Sequence, residues 1–228
     1  MDALGDRMKT YERVTQLNLP RRTYTIIRVD GRAFHTLLRK AEKPFDYEFA
    51  SAMEYVSTSL CREISGAQVA YTQSDEVSVL VTDFDTIQTQ SWFGGNLQKF
   101  VSISASIATK AFVWRGQGAM FDSRAFTIPD RTEVMNYFLW RQKDAVRNSI
   151  NMVAQHHFSH KSLQGLNSGQ LQEKLWQEAG VNWNDLHPSQ KRGTVVKKAN
   201  RVWQPVPAGH FKADGTGELE ELVPKLGG

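Results

Sequence analysis

Two aspartates carry the residue type and the setting for metal-assisted phosphoryl chemistry. Asp30 closes the segment TYTIIRVD and Asp75 lies inside YTQSDEVSVLV, so each carboxylate follows a β-rich run and can stand at a strand end. Acids delivered in that way offer the hard oxygen ligands that magnesium prefers, and two such ions about 4 Å apart clamp the attacking and leaving oxygens of a phosphoryl transfer. Ser74, Asp75 and Glu76 put an alcohol and two acids side by side, and neighbouring carboxylates repel unless a cation neutralises them. Asp30, Asp75 and Glu76 are therefore the catalytic candidates, and nucleotidyl transfer is the chemistry they fit. An isolated Asp after a strand is more often a turn former or a helix cap, so the neighbouring residues decide.

Those neighbours suit a polyphosphate. Gly31 lets the backbone turn tightly, and the consecutive amides of Arg32, Ala33, Phe34 and His35 can point at an anion in a nest that needs no P-loop. No G-x-x-x-x-G-K-[ST] string occurs, which excludes a Walker-type site. Arg32, Arg39, Lys40 and Lys43 add positive charge, and Lys43 stands before Pro44 in a turn, where it can act as a flexible point charge. His35 either bonds a phosphate or satisfies a local carbonyl. Asp83 and Asp85 follow their strand at its far end and rank as loop residues. His156, His157 and His160 lack a carboxylate or cysteine partner at ligand spacing.

Positioning such acids takes a sheet. Residues 23–29 read as a strand, and Phe49, Met53, Val56, Leu60 and Ile64 recur at helical spacing, with Asp46 able to cap that helix and Gly66 just past its end. Residues 68–72 and 77–82 read as a hairpin whose tip carries the acids. A second helix over residues 97–112 and a strand over 119–128, stopped by Pro129, complete the order β-α-β-β-α-β. That ferredoxin-like order predicts an α+β protein: an antiparallel sheet with helices on one face, and Asp30 and Asp75 meeting at one sheet surface. From Asp130, with Glu133 as capping-box partner, a long helix runs through YFLWRQKDAVRNSINMVAQHHF and a shorter one through SGQLQEKLWQEAG. The expected division is a catalytic domain over 1–135 and a helical C-terminal extension over 136–228, with a basic hairpin or loop from about Lys191 and a poorly ordered end.

Composition narrows the class further. At 228 residues and 40% hydrophobic, the chain can bury one substantial core. Cys61 is the only cysteine, which rules out an internal disulfide and multi-cysteine zinc motifs and fits a reducing cytosol. The N-terminus has no apolar run and no stretch approaches the ~20 apolar residues of a membrane span, so a cytoplasmic protein with no membrane partner is expected. Net charge is +4, which permits an RNA partner. Arg141, Arg147 and Asn148 lie with Trp140 in one helical stretch suited to RNA backbone or to a salt-bridged subunit contact. Lys191, Arg192, Lys197, Lys198 and Arg201 form the densest basic run and the expected contact to RNA phosphates.

The strings LGDRMKTYE, RVDGRAFHTLLRKAEKPFD, YTQSDEVSVLV, FDSRAFTIP, NYFLWRQKDAVRNSI and KSLQGL, spanning residues 4 to 166, resemble the tRNA-His guanylyltransferase family, including its bacterial and archaeal 3'-to-5' polymerases. The resemblance implies a polymerase-palm-like catalytic domain that uses two Mg2+ ions, with Asp30, the Gly31 carbonyl and Asp75 as ligands. It implies that residues 30–35, Lys43, Asp46 and Ser74 bind nucleotide, that GTP, ATP and tRNA are partners, and that the chain forms a homotetramer, a dimer of dimers. Eukaryotic members resemble one another in a His-Ile-Asn-Asn-Leu-Tyr segment after the RQ-x-D motif, whereas this chain has AVRNSINMV there; the difference favours template-directed repair of 5'-truncated tRNA over guanylate addition to tRNA-His. A palm-fold nucleotidyl cyclase and a non-catalytic tRNA-binding protein are the competing readings.

Overall fold

The apolar runs assemble into one six-stranded antiparallel sheet in the order β4-β1-β3-β2-β5-β6. The computed structural model describes residues 3–212 and 216–226. In chain order the elements are α1 (Ala3–Arg13), β1 (Tyr24–Gly31), α2 (Phe34–Leu37), α3 (Tyr47–Glu63), β2 (Ala67–Gln73), β3 (Glu76–Val81), α4 (Leu97–Ala111), β4 (Phe121–Ile128), α5 (Arg131–His157), α6 (His160–Leu163), α7 (Ser168–Ala179), α8 (Pro188–Arg192), β5 (Thr194–Ala199), β6 (Val202–Pro207) and α9 (Glu218–Leu222). The β-α-β-β-α-β core expected over residues 23–128 is present.

Both faces of the sheet are covered, which explains why β3 is buried at every position, the polar Glu76 and Ser78 included. Ile27 and Val29 of β1 face the cluster built with Met53, Val56 and Leu60 of α3 and Phe100 and Ala108 of α4. Tyr24 and Ile26 face the other way, against Val134, Tyr137 and Phe138 of α5. Asp46 and Asn96 cap α3 and α4 by accepting the Phe49 and Lys99 amides. Asp130 caps α5, accepting from Thr132 and Glu133. The two core helices do share one face, as expected; α5 fills the second.

The C-terminal part is mixed in structure. Residue 135, the expected boundary, falls inside α5, and β5 pairs with β2 so that β5 and β6 extend the same sheet. The backbone groups of β2 would otherwise form an open edge, which is why the basic segment is drawn into the ladder. Its turn, Asn200 and Arg201, takes positive φ at both positions (51° and 65°), the signature of a two-residue hairpin. Beyond the sheet, Ile150, Val153 and Ala154 of α5 pack with Leu171 and Leu175 of α7.

The expectation of a poorly ordered end is corrected for residues 216–226. Leu219 and Val223 are buried, and Arg131 donates to the carbonyls of Val223 (2.9 Å) and Glu220 (2.6 Å). The Tyr24 hydroxyl donates to the Pro224 carbonyl at 2.8 Å. Residues 213–215 and 227–228 lie outside the described residues.

Gly193 joins α8 to β5 at φ 78°, ψ −169°, a region open essentially only to glycine, and a Cβ there would stand 2.5 Å from the Thr72 carbonyl oxygen. Gly193→Ala is expected to destabilise the fold by about 1–3 kcal/mol from backbone conformation alone. The urea unfolding midpoint measures this, and an unchanged midpoint would contradict the close approach of β5 to β2.

Candidate active site

Strand register brings the acids together. Asp30 lies opposite Glu76 across the β1–β3 ladder, and the β2–β3 hairpin turns through Ser74 and Asp75, with Gln73 opposite Glu76. A two-residue turn demands positive φ, which Ser74 adopts at 51°. The Gly31 amide donates to the Asp75 carbonyl at 3.0 Å, tying the end of β1 to the hairpin tip. Asp30 and Asp75 thus share one end of the sheet.

Their electrostatics are unfavourable without an external cation. Burial pushes the Asp75 carboxyl up. Its own amide and the Ser74 hydroxyl, which donates to Oδ1 at 3.0 Å, pull it down, and the Asp30 charge pushes it up again, leaving it above its ordinary value. Among the described residues neither Asp30 nor Asp75 forms an ion pair.

Glu76 is different. It is buried, and its two oxygens accept from Arg141 Nε (2.8 Å) and Nη2 (3.0 Å), with Arg28 Nε 3.9 Å away. Burial pushes this carboxyl up, and the bidentate guanidinium opposes that shift. The pairing revises the expectation that Glu76 acts on the reacting atoms: its lone pairs are engaged by Arg141, and it braces the hairpin instead.

The loop after Asp30 is anchored from below. Phe34 is buried against Phe112 and Phe121, with ring centroids at 5.1 and 5.2 Å, and a Cβ on Gly31 would meet its ring at 2.3 Å. Its ring therefore cannot touch a ligand, which leaves its backbone. Arg32 likewise has its amide donated to the Met120 carbonyl at 2.9 Å, so the anion-facing series shrinks to the amides of Ala33, Phe34 and His35, ahead of the first intrahelical donor, Thr36. Ala33 takes left-handed φ of 60° to make the turn.

Beside the hairpin tip lies a cavity of about 410 Å³ walled by Lys43 and Phe45 of the preceding loop, Phe49 and Met53 of α3, Gln73 and Ser74 of the hairpin, Asn148 and Met152 of α5, and Gln190 of α8. An apolar floor with a few polar groups at this volume suits a nucleoside-sized ligand. Asp46 lines it too, but its oxygens accept from the Glu42 and Phe49 amides, Trp114 Nε1 and Arg115. Its expected contact to nucleotide is corrected on that ground: the carboxylate builds the wall. A second, open cleft of about 620 Å³ on Arg32, Arg39 and Lys40 flanks the loop.

The donor set fits magnesium. No trio of His, Cys, Asp or Glu converges among the described residues. Two uncompensated carboxylates next to a glycine carbonyl form the sparse protein set that this ion accepts when phosphates and water fill the remaining positions.

A family model described as tRNAHis guanylyltransferase matches residues 5–129, more than half of the chain. The chain belongs to the tRNAHis guanylyltransferase family. A bacterial tRNA(His) guanylyltransferase-like protein solved in complex with ATP is 44% identical, with a TM-score of 0.91 over 97% of this chain and 99% of that one. One solved in complex with GTP is 45% identical, with a TM-score of 0.78 over 90% and 89%. The tRNA(His) guanylyltransferase of Schizosaccharomyces pombe is 29% identical over 209 residues, 82% of this chain and 77% of its own length. Membership makes the protein a nucleotidyltransferase with a palm-like α+β fold.

Within this family frame, the expected RNA contacts divide. Arg141 is buried on Glu76 and Asp144, and Lys191 is buried, donating to the Asn184 carbonyl over the Trp183 ring. Both expectations are corrected, because packing leaves neither cation a free face. Arg192 is half-buried and donates to the Ala208 carbonyl at 3.1 Å; Lys197 pairs with Glu218 at 3.6 Å. Lys198 and Arg201 are exposed on the β5–β6 hairpin. Arg147 is exposed and paired with Asp144, and Asn148 turns into the cavity. Among the described residues no helix is long and apolar enough to cross a membrane. Sequence reasoning missed Arg28 and Arg141 as partners of Glu76; the alternation of Arg28 with Asp30 on one strand face was the available signal.

The raised Asp75 carboxyl has a consequence for stability. The folded state holds this proton more tightly than the unfolded chain, so the site's contribution falls as pH rises from the unfolded pKa through the folded one. Asp75→Asn is therefore expected to raise the thermal midpoint in EDTA at pH 7, with the gain closing as pH drops below the carboxylate range. A parent at least as stable as the variant at pH 7 would refute the unfavourable charge.

Proposed function

We propose that this family member is a tRNA 5'-end nucleotidyltransferase working in the 3'-to-5' direction, with repair of 5'-truncated tRNA as its principal task. The observation that carries the reading is the meeting of Asp30, at the end of β1, with Asp75, at the tip of the β2–β3 hairpin, whose neighbours Gln73 and Ser74 wall a nucleotide-sized cavity. Relatives solved with ATP and with GTP support the same nucleotides here. The AVRNSINMV sequence after RQKD supports repair over strict guanylate addition to tRNA-His.

In this reading a 5'-monophosphate oxygen of tRNA attacks the α-phosphate of ATP or GTP, giving a nucleotidylated end and releasing pyrophosphate. The 3'-hydroxyl of an incoming nucleotide, typically GTP, then attacks the activated 5' phosphate and the nucleoside monophosphate leaves; where a 5'-triphosphate is already present, pyrophosphate leaves instead. Two magnesium ions would supply charge neutralisation at the phosphates and a more acidic attacking hydroxyl. Asp30, Asp75 and the Gly31 carbonyl would hold them, so the aspartates act by positioning and not as proton carriers. The amides of Ala33, Phe34 and His35, the exposed His35 ring and Lys43 would take the triphosphate, while Ser74 orients the Asp75 carboxylate. Lys197, Lys198 and Arg201, with Arg192 and Arg147 alongside, would follow the tRNA backbone. A homotetramer, a dimer of dimers, and a cytoplasmic location complete the reading; α1, which buries none of its residues in the protomer, supports association.

Primer-extension assays with 5'-truncated tRNA, intact tRNA-His and GTP test this. Asp30→Ala and Asp75→Ala are each expected to lower nucleotide addition by at least about 10²–10³-fold with the fold retained by circular dichroism. Full activity in either variant, or a cyclic product from GTP without RNA, would overturn the assignment.

A further inference from the structure

We propose that Arg115 is a positioning residue for nucleotide: with Trp114 it clamps residues 38–46 into the shape that walls the 410 Å³ cavity and presents Lys43. The proposal rests on the nucleotide site described above and assigns it a support from a distant part of the chain.

Arg115 sits at the tip of a tight turn after α4. Trp114 and Gln117 exchange backbone bonds of 2.9 Å each way, and Arg115 and Gly116 take positive φ of 49° and 74°. From there the guanidinium spreads over three hydrogen-bond acceptors and one further carboxylate, drawn from residues 40–46 and the first turn of α3. Nη1 donates to the Lys40 carbonyl at 3.0 Å, Nη2 to Asp46 at 3.1 Å and Nε to Glu48 at 3.2 Å, with Glu42 at 3.8 Å. Trp114 adds Nε1 to Asp46 at 3.3 Å and stacks beneath the guanidinium at 4.9 Å. A planar fork can serve several directions at once, which a lysine ammonium on a flexible stem cannot reproduce.

Leu38 and Ala41 rest on the α3–α4 core and Phe45 on the α5–α7 cluster, while Asp46 caps α3; the polar stretch between these anchors is the part that Arg115 gathers. Among residues 38–46 only Asp46 is buried, none joins a strand, and Glu42 and Lys43 are exposed. The same stretch borders two cavities, with residues 41–46 on the 410 Å³ one and Arg39 and Lys40 on the 620 Å³ one. Glu42, Asp46 and Glu48 would repel one another without a shared cation. Loss of Arg115 therefore leaves the segment free to leave its binding shape, and apparent affinity falls by the fraction of molecules still competent. The guanidinium is spent on this segment and makes no bond to Asp30 or Asp75, so the chemical step is spared.

The test varies ATP and GTP at saturating 5'-truncated tRNA and magnesium on the full chain. Arg115→Gln is expected to raise nucleotide KM about tenfold or more and to leave kcat within about threefold, with the thermal midpoint shifted by only a few degrees; Arg115→Lys falls between. Should Arg115→Gln fail to fold, Trp114→Phe, which loses a single donor, raises the same KM by a smaller factor. A parental KM in the folded variants, or a fall in kcat matching the rise in KM, overturns the clamp. Lys43→Ala is measured alongside: an unchanged KM there beside a raised one in Arg115→Gln removes Lys43 from the nucleotide site and leaves the clamp standing, while the reverse removes the clamp and leaves the site.

Discussion

Three carboxylates meet at one end of the β1–β3 ladder, and the internal guanidinium of Arg141 serves only one of them. Arg141 closes on Glu76 with two bonds, so Asp30 and Asp75 keep a mutual repulsion that the protein alone does not cancel. Such an arrangement survives because the surrounding sheet over-determines it. Ile27 and Val29 are locked in one core and Tyr24 and Ile26 in the other, and each fully buried side chain of this kind contributes roughly 1.5–3 kcal/mol. A slip of one residue would turn both sets toward the wrong layer, so the register that fixes the acids is held by apolar burial on both sides.

The two layers divide the work. On the α3–α4 side, Phe34 plants the loop after Asp30 into an aromatic cluster with Phe49, Phe112 and Phe121, which makes the loop's shape a property of the core. On the α5 side, Arg141 braces the hairpin that carries Asp75. Between them the cavity draws its wall from α3, the hairpin, α5 and α8. The pairing of β5 with β2 and the approach of Gly193 to Thr72 bring the last of these into place. The C-terminal segment thereby helps to wall this cavity.

Charged residues sort by the same logic of available partners. Asp46 reads as a helix cap and also closes a polar knot with Trp114 and Arg115, and Lys191, from the densest basic run, ends inside the protein on a backbone carbonyl. Lys198, over the Trp203 ring, and Arg201 stay exposed at the β5–β6 turn.

The sequence by itself determined the core strands and helices over residues 23–128, the caps at Asp46 and Asp130, the hairpin tip and the placing of Asp30 and Asp75 at strand ends. These follow from periodicity, turn chemistry and motif, all of which act over a few neighbouring residues. It also carried enough motif to name the family. Tertiary structure decided what depends on partners far along the chain: that α5 covers the second face, that β5 and β6 join the sheet, and that Glu76, Asp46, Arg141 and Lys191 are consumed by internal contacts. The physical reason is that a charge's role is set by its desolvation and by the nearest opposite charge or hydrogen-bond partner, and those distances exist only once distant segments have packed.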